Sequence, residues 1–261
     1  MTKIAIIFTT FLRESLAIGT LRSILSNWNN NYLLLIGDQN QKEMDLSVCS
    51  TDKIVYYKLP YDCGLSYARN YLIKKAAEMN IPYILMTADS LVFTQFYDFQ
   101  PIIDFMQTNE KIAKVGFNIK KRIPYEFNLD LIPNKYFQLS VSNKTVQYNN
   151  QLFKKVDICR NFFLAKTESL IQVPYDNELK LLEHEDQAWR LKEANYETYY
   201  TNTISANYIK SSNTEYTHMR GRMYREFKEL LFKKYNLTSW TQYDPEVQRI
   251  FAQWKENNPC L

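Results

Sequence analysis

Hydrophobic and polar positions fall into alternating blocks along the first half of the chain. Lys3–Phe8 (KIAIIF) is a short, continuous apolar run, the pattern of a strand buried on both faces. A polar loop, Thr9–Glu14, follows. Ser15–Trp28 then sets Leu16, Leu21, Ile24, Leu25 and Trp28 on a helical stripe. Tyr32–Ile36 and Ile54–Leu59 repeat the strand pattern, and Ser66–Met79 repeats the helical one. Tyr83–Met86 and Ala113–Ile119 read as a fourth and a fifth strand. Strand–helix alternation with short connections predicts an α/β fold, a Rossmann-like, mostly parallel sheet flanked by helices.

The second half is less regular. Tyr136–Tyr148 reads as strands and turns, and Val156–Lys166 as one aromatic-rich strand. Thr167–Ile171 is a helical turn or two. Leu182–Ala194 is a helix and Glu197–Thr201 a last strand. Met219–Tyr235 and Pro245–Lys255 form an amphipathic, C-terminal helical tail. No repeat, low-complexity tract or linker interrupts the 261 residues. The expectation is one domain over 1–261, with a first half over about 1–118 and a second half with its tail over about 119–261.

Open α/β sheets bind ligands just beyond the carboxyl ends of their strands. Thr9, Asp38 and Asp89 stand at three such ends. Asp89 follows a strand whose preceding helix opens with Ser-Tyr-Ala-Arg-Asn, an arrangement that suggests a phosphate and metal site. It stands alone between Ala88 and Ser90, where a metal centre would carry more acids.

Composition narrows the classes. The net charge of +4 is scattered, which favours an anionic small ligand over nucleic acid. Lys120-Lys121-Arg122 and Lys233-Lys234 read as solvated basic runs. Twenty tyrosines suit a groove for sugars or bases, and equally follow from a codon bias toward Tyr, Asn, Lys and Ile. Cys49, Cys63, Cys159 and Cys260 are far apart, with no CxxC pair for zinc. The five glycines form no GxGxxG, GxxxxGK[ST] or GxSxG motif, which argues against a dinucleotide fold, a P-loop and a serine-hydrolase elbow. No apolar run approaches the roughly 20 residues that span a membrane, and a strand begins almost at once. The expectation is a cytoplasmic protein with reduced thiols, with peripheral contact to the inner face of a membrane left open.

Four stretches together carry a family likeness. They are IAIIFTTFLRESLAIGTLRSIL, LLLIGDQNQ, GLSYARNYLIKKA and YILMTADSLVF, in that order. They resemble the opening strand and nucleotide loop, the base-binding Asp, the G-x-x-x-A-R-N helix start and the DxD strand of GT-A-fold glycosyltransferases of family 2 and its relatives. VDICRNFFLAKTESL and YDNELKLLEHEDQAWRLK are similar to acceptor-side segments of the β-1,4-N-acetylgalactosaminyltransferase (GM2-synthase-like) group.

The resemblance implies inverting transfer of a sugar from a nucleotide-sugar donor, UDP-hexose or UDP-N-acetylhexosamine, to a glycan or lipid-linked glycan. It places Thr9, Thr10, Arg13, Asp38, Gly64, Arg69 and Asp89 around the donor. Arg69 suits a diphosphate because its charge is permanent and its donors form a fork. Asn161, Tyr175 and Asp176 fall on the acceptor side, with Phe162 and Phe163 beside them. Glu183, His184, Glu185 and Asp186 form the catalytic cluster. An acid is expected about six residues before Arg190, where His184 stands instead. The base is therefore read as Asp186 or Glu185, with His184 the alternative; acids in a first helical turn also simply complement the helix dipole. Mn²⁺ or Mg²⁺ would sit at Asp89, with His218 after the last strand as a second ligand. His218 or Arg220 would assist the leaving group. The Ala88-Asp89-Ser90 triplet leaves metal dependence open. It also leaves open a degenerate protein that keeps the fold to bind sugar nucleotides or glycans. A third class, a nucleic-acid or membrane-surface protein, rests on the basic tail of Arg220, Arg222, Arg225, Lys228, Lys233 and Lys234.

Overall fold

A computed structural model describes residues 3–28, 32–49 and 51–259. Cys260 lies outside them. In chain order the elements are β1 (Ile4–Thr10), α1 (Glu14–Asn27), β2 (Tyr32–Asp38), β3 (Ile54–Lys58), α2 (Leu65–Glu78), β4 (Tyr83–Met86), β5 (Leu91–Val92), α3 (Gln100–Gln107) and β6 (Ile112–Lys120). They continue with β7 (Asn128–Ile132), β8 (Tyr136–Ser140), β9 (Thr145–Tyr148), β10 (Gln151–Val156), β11 (Phe163–Lys166), α4 (Thr167–Gln172), α5 (Glu183–Glu193), β12 (Glu197–Tyr208), α6 (Thr214–Tyr235), β13 (Gln242–Tyr243) and α7 (Pro245–Asn257).

The main sheet runs β3-β2-β1-β4-β11-β6-β12-β10-β9, with β5 paired to β12. Strands β3, β2, β1, β4, β6, β12 and β9 point one way, and β11, β10 and β5 the other. The sheet is thus mostly parallel, as the apolar runs predict. The reason is visible in β1, whose seven residues are all buried. Ile4, Ile6 and Phe8 enter one core layer, with Leu21 and Ile24 of α1. Ala5 and Ile7 enter the layer on the other face, with Leu72, Ile73 and Ala76 of α2. Alternate side chains need apolar partners on both sides, so the strand has no polar face.

The second half departs from the sequence reading. Val156–Lys166 is not one strand. β10 ends at Val156, and β11 starts at Phe163 after a loop through Arg160 and Asn161. The aromatic pair explains the misreading, because Phe162 and Phe163 are both fully buried although only Phe163 lies in a strand. β12 extends past Thr201 to Tyr208, through a register shift between Tyr200 and Ser205. The first tail helix begins at Thr214, not Met219, because the Asn213 side chain accepts from the Tyr216 amide and caps it. A small sheet, β13-β8-β7, and a third apolar cluster tie this tail to the body through Phe127, Phe137, Leu181, Phe227, Leu231 and Val247. Among the described residues no helix is long and apolar enough to cross a membrane.

Candidate active site

The carboxyl ends of β1 and β4 open onto a cleft of about 310 Å³. Thr9, Thr87, Ala88, Asp89 and Ser90 come from those ends. Arg13 comes from the start of α1 and Arg69 from α2. Arg122 is in the β6–β7 loop, and Arg160 and Asn161 are in the β10–β11 loop. His184 is on α5, and Tyr216 and Arg220 are on α6. A narrower pocket adjoins the cleft and shares Thr9, Arg13, Leu65, Tyr216 and Arg220 with it. Its other walls include Phe11, Gln39, Asp62, Gly64 and Met219.

Asp89 is wholly buried on the cleft floor, with Arg13 Nη2 2.6 Å from its Oδ1. Burial pushes the Asp89 carboxyl up to about 6, against the opposing pull of Arg13 and Thr10. Thr10 is buried behind the floor. The Arg13 guanidinium packs on the Tyr216 ring, 4.1 Å from its centroid, and its Nε is buried with no partner. The Tyr216 hydroxyl accepts from Arg220 at 2.7 Å. Gly64 opens α2 at φ 89°, a left-handed conformation, and donates its amide to Gln39 Oε1. A Cβ there would lie 2.5 Å from Lys180 Cγ.

The first turn of α5 divides its charged residues between two directions. Leu182 precedes it at φ 64°, a strained left-handed backbone for a γ-branched residue. Glu183 is wholly buried, 2.6 Å from Arg69 Nη1 and 3.0 Å from His184 Nδ1, and it accepts from Asn161 at 3.2 Å. Burial alone would raise its carboxyl; His184 and Arg69 outweigh burial and hold it well below the usual range. His184 itself lines the cleft. Glu185 faces away and accepts from the Tyr125 hydroxyl at 2.8 Å. Burial pushes its carboxyl up despite His184 and that hydrogen bond. Asp186 accepts from Arg190 Nε and Nη2 on one oxygen and from the Tyr235 hydroxyl on the other, with Lys234 at 2.6 Å. The structure therefore brings His184 to the cleft, with Glu183 behind it, and does not bring Asp186 or Glu185. Successive helical residues turn about 100° apart, so four in a row cannot share one face.

Other expected residues also move. Asp38 does not reach the cleft. Its carboxylate is wholly buried and accepts from the Asn40 amide and side chain, the Met44 amide and the Tyr56 hydroxyl. These bonds use both oxygens, which leaves nothing to offer a ligand. Gln39 and Asp62 line the adjoining pocket in its place. Tyr175 is not on the acceptor side. It is buried in the core beneath Arg69, whose guanidinium carbon is 5.2 Å from the ring centroid. Asp176 ties α6 to the body through Lys234. Asn161 does line the cleft. His218 is exposed and lines neither cavity, so the structure does not bring it to Asp89.

The residues present do not fit a protein-held metal. Asp89 is the one carboxylate lining the cleft, and Arg13 already holds it. Among the described residues no three His, Cys, Asp or Glu side chains gather around a common point. Sequence reading missed Arg122, Arg160, Gln39, Asp62 and Tyr216. Arg122 reads from sequence as part of a solvated basic run, whereas the structure places it on the cleft lining. The segment NTEYTHMRGR carries Tyr216 two residues before His218, so the aromatic was the available signal.

No family model matches the chain. Solved structures do resemble it. S. aureus TarS, residues 1–349, in complex with UDP-GlcNAc aligns at a TM-score of 0.57 and 12% identity, over 97% of this chain and 71% of that one. The same TarS fragment with UDP aligns at 0.55 and 13%. GalNAc-T7 with UDP, GalNAc and Mn²⁺ aligns at 0.63 and 11%, over all of this chain and 55% of that one. The chain spans 43% of the longer TarS structure. At these identities the likeness speaks to architecture, and the chain has the GT-A glycosyltransferase fold.

Proposed function

We propose that the protein transfers a sugar from a nucleotide-sugar donor, a UDP-hexose or UDP-N-acetylhexosamine, to a hydroxyl of a glycan or lipid-linked glycan, with inversion. The observation that carries this reading is the pairing of an arginine-rich cleft at the sheet edge with a cleft-facing His184 backed by a buried carboxylate. Structural neighbours solved with UDP and UDP-GlcNAc support the donor class. The adjoining pocket, with the Phe11 ring and the polar groups of Gln39 and Asp62, suits the base and ribose. The chain acts as one domain, with the donor on its first half and the acceptor on its second. The sequence likeness to the GM2-synthase-like group favours an N-acetylhexosamine.

Glu183 Oε1 faces His184 Nδ1, which fixes the proton there and leaves Nε2 free to accept one. The acceptor oxygen attacks the anomeric carbon and gives its proton to Nε2. The bond from that carbon to the β-phosphate oxygen breaks, and the nucleoside diphosphate leaves with the electron pair. Glu183 steadies the imidazolium that forms, as a buried carboxylate behind a histidine does. The cleft arginines offset charge on the leaving group.

Arg13 already occupies the carboxylate of Asp89, and that contact favours a second reading, a degenerate protein that binds sugar nucleotides without turnover. A thermal-shift screen of UDP-, GDP- and dTDP-sugars, with and without Mn²⁺ or Mg²⁺, tests the donor class. UDP-sugars are expected to raise the melting temperature by mass action. No shift with any nucleotide contradicts both readings. A shift without UDP release in a donor-hydrolysis assay favours the second.

A further inference from the structure

The cleft gathers five arginines, Arg13, Arg69, Arg122, Arg160 and Arg220, against one lining carboxylate. Two are already matched, Arg13 by Asp89 and Arg69 by Glu183. Among the described residues Arg122, Arg160 and Arg220 form no ion pair. Arg122 packs on the Tyr208 ring, 4.4 Å from its centroid. Arg160 donates Nε and Nη2 to the Ile123 carbonyl, at 3.1 and 2.8 Å, and packs toward Tyr125. Arg220 donates to the Tyr216 hydroxyl. The groups that position each guanidinium are neutral, although Arg160 also feels Glu126 and Arg220 feels Asp89 at longer range. Burial and the like charge of Arg122 lower Arg160 to about 10, so the two cations are held together at a cost. An anion placed among them would relieve that cost. The unpartnered, buried Nε of Arg13 points to the same missing acceptor.

A GT-A site that uses a metal places it between carboxylates and the donor diphosphate. Here the carboxylate, Asp89, is already engaged by a cation of the chain itself, Arg13. We infer that Arg122, Arg160 and Arg220 hold the donor diphosphate directly, and that the Arg13–Asp89 pair stands where a divalent ion would otherwise bridge protein and phosphate. This rests on the nucleotide-sugar reading and deepens it. Fixed guanidinium forks supply the positive charge for binding and for leaving-group departure, with no exchangeable ion. The charge comes from three separate elements, the β6–β7 loop, the β10–β11 loop and α6, whose arginines line the same cleft.

Calorimetric titration of the full chain with UDP, in EDTA and then in excess Mn²⁺, tests this. The expected result is an affinity that agrees within about twofold between the two conditions. Arg122→Gln and Arg220→Gln, both at exposed positions, are expected to weaken UDP about tenfold each, and Arg122→Gln, which lies outside the adjoining pocket, is expected to leave uridine binding unchanged. UDP binding that requires Mn²⁺, or that ignores both substitutions, overturns the arginine clamp and leaves the nucleotide-sugar reading standing. No UDP binding in either condition overturns that reading and the clamp with it.

Discussion

The floor of the cleft and the framework behind it both contain buried carboxylates, and the two sets are built differently. Asp38 and Asp186 belong to the framework. Each has both oxygens engaged by donors of the chain, from Asn40, Met44 and Tyr56 in one case and from Arg190, Tyr235 and Lys234 in the other. Asp89 belongs to the floor, and Glu183 stands just behind the cleft-lining His184. Asp89 has one ion pair, and Glu183 Oε2 has no partner. All four are wholly buried. Burial of an acid at a strand end or in a helical first turn therefore does not mark a site. Unfilled acceptor capacity does, because only an incompletely satisfied group has something left for a ligand or a neighbouring catalytic side chain.

The contrast can be broken at several points. The largest expected effect is on stability in the framework. Asp186→Ala leaves Arg190 and Lys234 without their buried partner and is expected to cost about 3–5 kcal/mol in denaturant unfolding. A loss under about 1 kcal/mol would mean that Asp186 is not a framework residue.

The floor is expected to respond to pH instead. The Asp89 carboxyl is raised from 3.8 to about 6 in the folded chain, so the native state holds that proton more tightly than the unfolded state does. The Asp89 contribution to stability is greatest below pH ~4, falls as pH rises to ~6, and is flat above. The expected loss is about 3 kcal/mol across that window. Asp89→Asn lacks this term, so its stability relative to the wild type should climb between pH 4 and 6. A pH-independent difference between the two would contradict an unsatisfied Asp89.

The smallest effect tests the wall between cleft and framework. Gly64→Ala must hold alanine at φ 89° against Lys180, at a cost of about 1–3 kcal/mol. It should also weaken uridine binding, since Gly64 lines the adjoining pocket. Unchanged melting and unchanged uridine affinity would show that this loop adapts freely.

The parallel block was legible in the sequence because strands buried on both faces leave continuous apolar runs. β1, β2, β3 and β4 and the helices α1 and α2 emerge near their observed bounds for that reason. The short β5 and the helix α3, with Phe99 and Pro101 at its start, carried too little period to read. β7 and β10 were lost because their pattern depends on partners far along the chain. At the site, Thr9, Arg13, Gly64, Arg69, Asp89 and Asn161 were legible from their motifs. The choice within Glu183–Asp186 was not, because four consecutive residues circle the helix and only packing says which side meets the cleft. Arg122 and Arg160 were hidden for a related reason. They sit on separate loops, and nothing local indicates that their loops converge.

His184 as the proposed base depends on its lining the cleft while Asp186 is tied to the tail. Donor turnover of His184→Gln and Asp186→Asn, each normalised to its folded fraction and to its UDP affinity, tests this directly. The predicted result is a fall of about 10²–10⁴-fold for His184→Gln, with Asp186→Asn within about threefold of the wild type. The reverse order, with His184→Gln active and Asp186→Asn inert while still folded and binding UDP, would contradict it.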